Sequence, residues 1–121
     1  MMNKTKEIWY DDCIALQRSG KTQEAVDELL LLTQEYPDYA LAHLALAVFY
    51  SKLELFDACM EQMKTACELE SDDPFYYTAF SSLAIKGGKH SEAEDALMKA
   101  QEKRMEAQLR RLKEQENNEN N

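Results

Sequence analysis

Paired cysteines, long apolar runs and a basic surface are three things this chain of 121 residues lacks. Cys13, Cys59 and Cys67 are odd in number and none sits in a CxxC or other metal-ligand spacing, so no disulfide framework is indicated. They read as small, partly buried thiols of a reducing compartment. The opening "MMNKTKEIWYDDC" has no apolar h-region, which argues against a secretory signal. The longest apolar stretches fall short of the ~20 residues that cross a bilayer. A soluble, cytoplasmic protein without membrane insertion is therefore expected. Basic residues number 14 against 23 acidic, and the excess is uneven: residues 6–39 carry three basic and eight acidic groups, 40–73 carry two and seven, and 74–107 and 108–121 balance. Such a surface repels a phosphate backbone, so no nucleic-acid partner is expected.

Catalytic equipment is lacking too. "KGGK" has nothing else of a phosphate-binding loop and reads as a helix stop. The carboxylate pairs Asp11–Asp12 and Asp72–Asp73 have no companion His or Lys in a plausible cleft; they suit helix solvation and capping. His43 and His90 are isolated, and no nucleophile is paired with a base. The expectation is a protein that is not an enzyme and has no metal and no cofactor.

What is present is repetition. Aligning "QEAVDELL", "DACMEQMK" and "EAEDALMK" puts Ala25, Cys59 and Ala93 in one column at a period of 34 residues. Trp9, His43 and Tyr77 share a ring-bearing column, and Cys13, Ala47 and Ser81 a small one. Leu29, Met63 and Leu97 are large and apolar, and Leu32, Ala66 and Ala100 close the unit. Gly20, Glu54 and Gly88 fall where a turn is needed. Each unit reads as helix, short turn, helix. In the first, Gly20 ends a helix and a second runs from about Thr22 to Tyr36, stopped by Pro37. In the third, Ser91 is the expected N-cap. The second unit lacks the turn glycine, and a tighter connection is expected at Glu54.

With Trp9, Gly20, Ala25 and Pro37 in its first unit, the chain resembles the tetratricopeptide repeat family, in three tandem copies. It departs from the family at Asp12, where Leu is preferred, at Glu54, which replaces the turn glycine, and at Ser71 and Met105, where Pro is usual. The resemblance implies an all-α solenoid with a lead at 1–5, repeats at 6–39, 40–73 and 74–107, and an extension at 108–121. It also implies which residues line a concave groove: Tyr10, Ile14 and Arg18 from the first repeat, Leu41, Leu44, Val48 and Lys52 from the second, and Phe75, Ile85 and Lys86 from the third. One subfamily, the co-chaperones that grip acidic C-termini of heat-shock chaperones, carries Lys, Asn and Arg in such columns. Tyr10, Ile14, Ala45, Phe75 and Ala79 stand there instead, so a carboxylate clamp is not expected.

The expected role is that of an adaptor or chaperone-like module whose groove takes an apolar peptide or an amphipathic helix of another protein. Arg18, Lys52 and Lys86 recur along one edge of that groove at the repeat period. The alternative is a self-associating scaffold whose groove or C-terminal helix is buried in a homo-oligomer. Residues 90–116 contain neither Pro nor Gly, and a single helix from about Ser91 to Gln115 is expected, with the polar "ENNENN" beyond it disordered. Met98, Met105, Leu109 and Leu112 stripe that helix, and a homodimer through it is the form the alternative takes.

Overall fold

The structure is a computed structural model that describes residues 4–120. It has six α-helices and, among the described residues, no strand: α1 (Lys6–Arg18), α2 (Thr22–Glu35), α3 (Ala40–Lys52), α4 (Phe56–Leu69), α5 (Pro74–Lys86) and α6 (His90–Glu119). Consecutive helices pack as antiparallel pairs, α1 on α2, α3 on α4 and α5 on α6, and each pair stacks on the next through α2 on α3 and α4 on α5. Helix α3 also packs on α5, whereas α2, α4 and α6 are not packed on one another. The first helix of each pair therefore lines the inner curve of the stack and the second helix the outer.

Local chemistry sets the helix ends. Thr5 caps α1 by accepting a hydrogen bond from the Ile8 amide at 3.2 Å. Asp73 does the same for α5, accepting from the Phe75 amide at 2.9 Å, with Pro74 pre-organised at the first helical position. The three intrarepeat turns share one closure: the amides of Lys21, Leu55 and Lys89 reach back to the carbonyls of Leu16, Tyr50 and Ala84. The residue before each amide is left-handed, with φ of 82° at Gly20, 59° at Glu54 and 71° at Gly88. Glu54 thus does not make a tighter connection, as its side chain suggested; it adopts the glycine geometry, held by the Leu55 to Tyr50 hydrogen bond of 2.9 Å. Ser91 is not an N-cap either. Helix α6 begins at His90, one residue earlier, and Lys89 precedes it without a side-chain cap. The helix then continues through Glu119, so Glu116–Glu119 of the supposedly disordered tail are helical, as a run of Glu, Gln, Lys and Arg without Gly or Pro permits. Asn121 lies outside the described residues.

Two core clusters fill the stack. One joins α1 and α2 to α3 through Cys13, Val26, Leu29, Leu32, Ala45, Leu46 and Phe49. The other joins α3 and α4 to α5 and α6 through Leu44, Ala47, Met60, Met63, Phe80, Leu83 and Ala96. The column Leu29, Met63, Leu97 shows what the neighbouring pair does: the first two are 0% exposed beneath the pair that follows, while Leu97, with none after it, is 44% exposed.

Both ends of the stack change character. The α3 residues Ala42, Ala45, Leu46 and Phe49 face the preceding pair, and at the same columns α1 presents Ile8, Asp11, Asp12 and Ala15 to solvent. At the other end, Tyr10, Ile14 and Val26, then Leu44, Val48 and Met60, face the following pair, but α5 and α6 place Thr78, Ser82 and Glu94 there. Arg104 crosses this last face to donate to the Thr78 hydroxyl at 2.9 Å. Lys103 reaches Asp72 at 3.5 Å and Glu106 at 3.3 Å. The departure at Asp12 has its explanation here: no described pair packs on this face, so a carboxylate at the column of Leu46 stays in solvent.

The turns give a paired prediction. Glu54→Gly relieves a left-handed side chain and is expected to raise stability by up to about 1 kcal/mol. Gly87→Ala drives a Cβ to 2.8 Å from the Phe56 ring and is expected to cost about 1–3 kcal/mol through overpacking. Urea unfolding followed by circular dichroism reads both.

Candidate functional site: the inner face of the first helices

The inner face is built by α1, α3 and α5, and the ten expected groove residues do not share one environment. Leu44 is only 9% exposed and belongs to the core beneath α5. It is corrected from groove residue to core residue, because its column is where one pair seats on the next. Tyr10 and Ile14 are half-buried against the first cluster, Leu41 packs partly against the second, and Val48 touches both. Phe75 and Ile85 are open, at 56% and 58% exposure, and Arg18, Lys52 and Lys86 are exposed at the last residue of each inner helix. Placing a cation at a helix C-terminus favours its charge electrostatically, so the period that repeats the helices also repeats the basic edge.

Aromatic contacts shape the two ends of this face. The rings of Tyr10 and Tyr39 tilt together at 6.0 Å, and the Lys6 ammonium sits 4.9 Å from the Tyr39 ring centroid. Tyr39 and Lys6 were not among the expected groove residues, because Tyr39 belongs to the interrepeat turn and only the fold brings it against α1. At the far end Phe75 meets Tyr76 edge-on at 5.3 Å. Between these, the column Gln17, Ser51, Ile85 carries a buried Gln17 Oε1 with no hydrogen-bond partner. Such an atom is costly to leave unpaired.

The ring column works on the opposite side of each inner helix, as structure rather than chemistry. The Trp9 indole N–H donates to Glu28 at 3.0 Å. The His43 Nε2–H donates to the Pro37 carbonyl at 2.8 Å, while Nδ1 lies 2.8 Å from the Gln62 amide oxygen. Both partners stand nineteen positions after the ring, and in the third repeat that position is Ala96. With no side chain there to bridge to, the Tyr77 hydroxyl donates to the Ser71 carbonyl at 3.1 Å. A depression of about 600 Å³ lies on the outer surface between α4 and α6, lined by Cys67, Tyr77, Phe80 and Ala96 among others. A second, of about 680 Å³ and lined largely by charged side chains, lies between α1 and α2 at the first polar end.

Among the described residues no group of three or more His, Cys, Asp and Glu is placed to hold a metal ion, and no helix is long and apolar enough to cross a membrane. The three thiols are buried and free. Burial pushes Cys13 and Cys59 up to about 11 and Cys67 up to about 12, which keeps them protonated and weakly nucleophilic at neutral pH.

The architecture is the tetratricopeptide-type α-solenoid of three helix-turn-helix pairs with the last helix extended. Solved structures agree on the fold. MamA superposes with a TM-score of 0.76 at 21% identity over 85% of this chain and 60% of its own. A second MamA structure, MSR-1 C2, gives 0.73 at 20% identity over 85% of this chain and 59% of its own. The type III secretion translocator chaperone SycD of Yersinia enterocolitica, in an alternative dimer, gives 0.74 at 20% identity over 84% of this chain and 77% of its own. The chain thus spans about 60% of the length of the MamA chains it matches. No protein-family model and no curated protein matches the sequence.

The thiols supply a test by pH. A folded-state pKa of about 11 to 12 against an ordinary value of 9.0 means that the folded form holds these protons more tightly. Their contribution to stability is therefore fully present below pH 9 and is lost as pH rises towards 11 to 12. The urea midpoint is expected to fall across that window, and by less in a Cys67→Ala variant. A midpoint indifferent to the substitution would contradict the burial of Cys67.

Proposed function

We propose that this protein is a non-catalytic interaction module, an adaptor or chaperone-like scaffold, whose inner face binds an amphipathic helix or an extended apolar peptide of another protein. The observation that carries the reading is the pairing of two open apolar side chains, Phe75 and Ile85, with a repeating basic edge on the same inner helices. Ile14, Leu41 and Val48 supply a half-buried apolar floor behind them. A ligand with an apolar stripe and acidic flanks complements both features, in the helix-in-groove manner. Covering what remains exposed of these five side chains contributes roughly 8 kcal/mol before association and ordering costs, which caps the apolar contribution near micromolar affinity and leaves the basic edge to offset part of those costs.

SycD, a translocator chaperone of similar fold, supports a protein ligand by likeness. The protonated, buried thiols suit a reducing cytoplasmic setting.

The test uses a panel of fluorescent amphipathic helical peptides, alike in their apolar face and differing in whether Glu or Lys flanks it. Acid-flanked peptides are expected to bind with dissociation constants of about 1–100 µM, to weaken as salt screens the basic edge, and to lose at least tenfold in affinity to Phe75→Glu with Ile85→Glu at unchanged helicity. Preference for Lys-flanked peptides, or binding untouched by the two substitutions, would overturn the assignment. Leu44 is unsuitable for this purpose, because a carboxylate there would be buried unpaired and would unfold the stack.

A further inference from the structure

Helix α6 has a second face that the inner groove does not use. Its inward side is Ala93, Ala96 and Ala100, buried against α5. At about 100° per residue the stripe of Met98, Met105, Leu109 and Leu112 falls on the opposite side of the cylinder, and these four are 68%, 66%, 54% and 53% exposed. Gln101, Gln108 and Gln115 run beside it at seven-residue intervals, so from Met98 to Leu112 the stripe and that flank carry no charge. Met98, Met105 and Leu112 also recur every seven residues, the period of a coiled-coil seam. The chain's own body cannot cover this stripe, which points away from it, and from Gln108 onward every described residue is exposed.

We infer that the occupant is a second copy of this chain, lying antiparallel along α6 about a two-fold axis at Met105. Three observations select that arrangement. Met98 and Leu112 stand seven residues to either side of Met105, Leu109 meets the uncharged Gln101 of the second copy, and Met105 is also at the centre of His90–Glu119. A two-fold there sets Met105 beside Met105 of the second copy and Met98 beside Leu112 of the second copy, along the whole helix.

Charge argues against the parallel alternative. Residues 92–102 carry Glu92, Glu94, Asp95 and Glu102 against Lys99, and residues 103–113 carry Lys103, Arg104, Arg110, Arg111 and Lys113 against Glu106. Lys103 and Arg104 are held by the chain's own body, but parallel helices would still set Arg110, Arg111 and Lys113 beside their twins, whereas the antiparallel arrangement brings Lys113 next to Asp95 of the second copy on a shared flank.

Size and clearance agree. The overlap is ~45 Å long, enough to bury on the order of 1,200 Å², the lower end of stable interfaces. Each α5 lies on the outer side of its own α6, so the two solenoid bodies stay clear of each other. This surface is separate from the inner face, and a dimer made through it leaves both inner faces open.

The test combines mass with cross-linking on the intact chain. Light scattering at about 50 µM is expected to give twice the 14.0 kDa chain mass, and Met105→Glu with Leu109→Glu is expected to return the monomer at unchanged helicity. Chains carrying Met98→Cys mixed with chains carrying Leu112→Cys are expected to form an intermolecular disulfide, and Leu112→Cys alone is not. A wild-type monomer at that concentration, or a dimer indifferent to the two glutamates, would overturn self-association through α6. Cross-linking of Leu112→Cys with itself while the mixture stays uncross-linked would overturn the antiparallel arrangement. The buried native thiols of Cys13, Cys59 and Cys67 leave the readout clean.

Discussion

Close approach of the two helices in each pair is the constraint on which everything else rests. It is made possible by columns of small side chains: Cys13, Ala47 and Ser81 on the first helices, Ala25, Cys59 and Ala93 on the second, with Ala66 and Ala100 further along. Packed helix axes lie about 8–10 Å apart depending on the side chains at the contact, and small residues favour the short end of that range. One hairpin built this way cannot bury its large residues by itself, so Leu29 and Met63 depend on the pair that follows. From that dependence come the stacking order, the inner curve and the regular placement of Arg18, Lys52 and Lys86.

Stacking that depends on neighbours must also stop. Asp11 and Asp12 at one end, and Thr78, Ser82 and Glu94 at the other, replace most of the apolar side chains that inner pairs use for stacking, leaving Ile8 and Leu97 exposed, and Arg104 bonds across the last face. Apart from separate side chains such as Ile8, Leu31 and Leu55, exposed apolar surface gathers on the inner face near Phe75 and Ile85 and on the outer stripe of α6. Contiguous exposed apolar patches seldom go without a use. The two surfaces divide the work proposed for the protein, one for a foreign helix and one for a second copy.

The repeat, the six helices and the extended last helix were legible because a period of 34 residues leaves independent marks in several columns. Contacts that join distant segments were not. Leu44 looks like a groove residue when columns are assigned by family likeness, yet packing on α5 buries it. Tyr39 could not be placed over Tyr10 without knowing the path of the interrepeat turn. Glu54 was misjudged from its side chain, because three hydrogen-bonded turns of identical connectivity impose the left-handed backbone on whatever residue stands there. Asp12, read as a departure from the family, became intelligible once the first polar face was visible.

That polar side chains largely close both ends of the three stacked pairs is the central claim, and amide hydrogen exchange along the chain addresses it directly. Terminal pairs that are complete should exchange with the same free energy as the middle pair. Protection across α1 and across residues 90–107 of α6 comparable to that of α3 and α4 is the predicted result. Rapid exchange confined to α1, or to α5 and the first half of α6, would contradict the account and show that a terminal pair lacks a neighbour it requires.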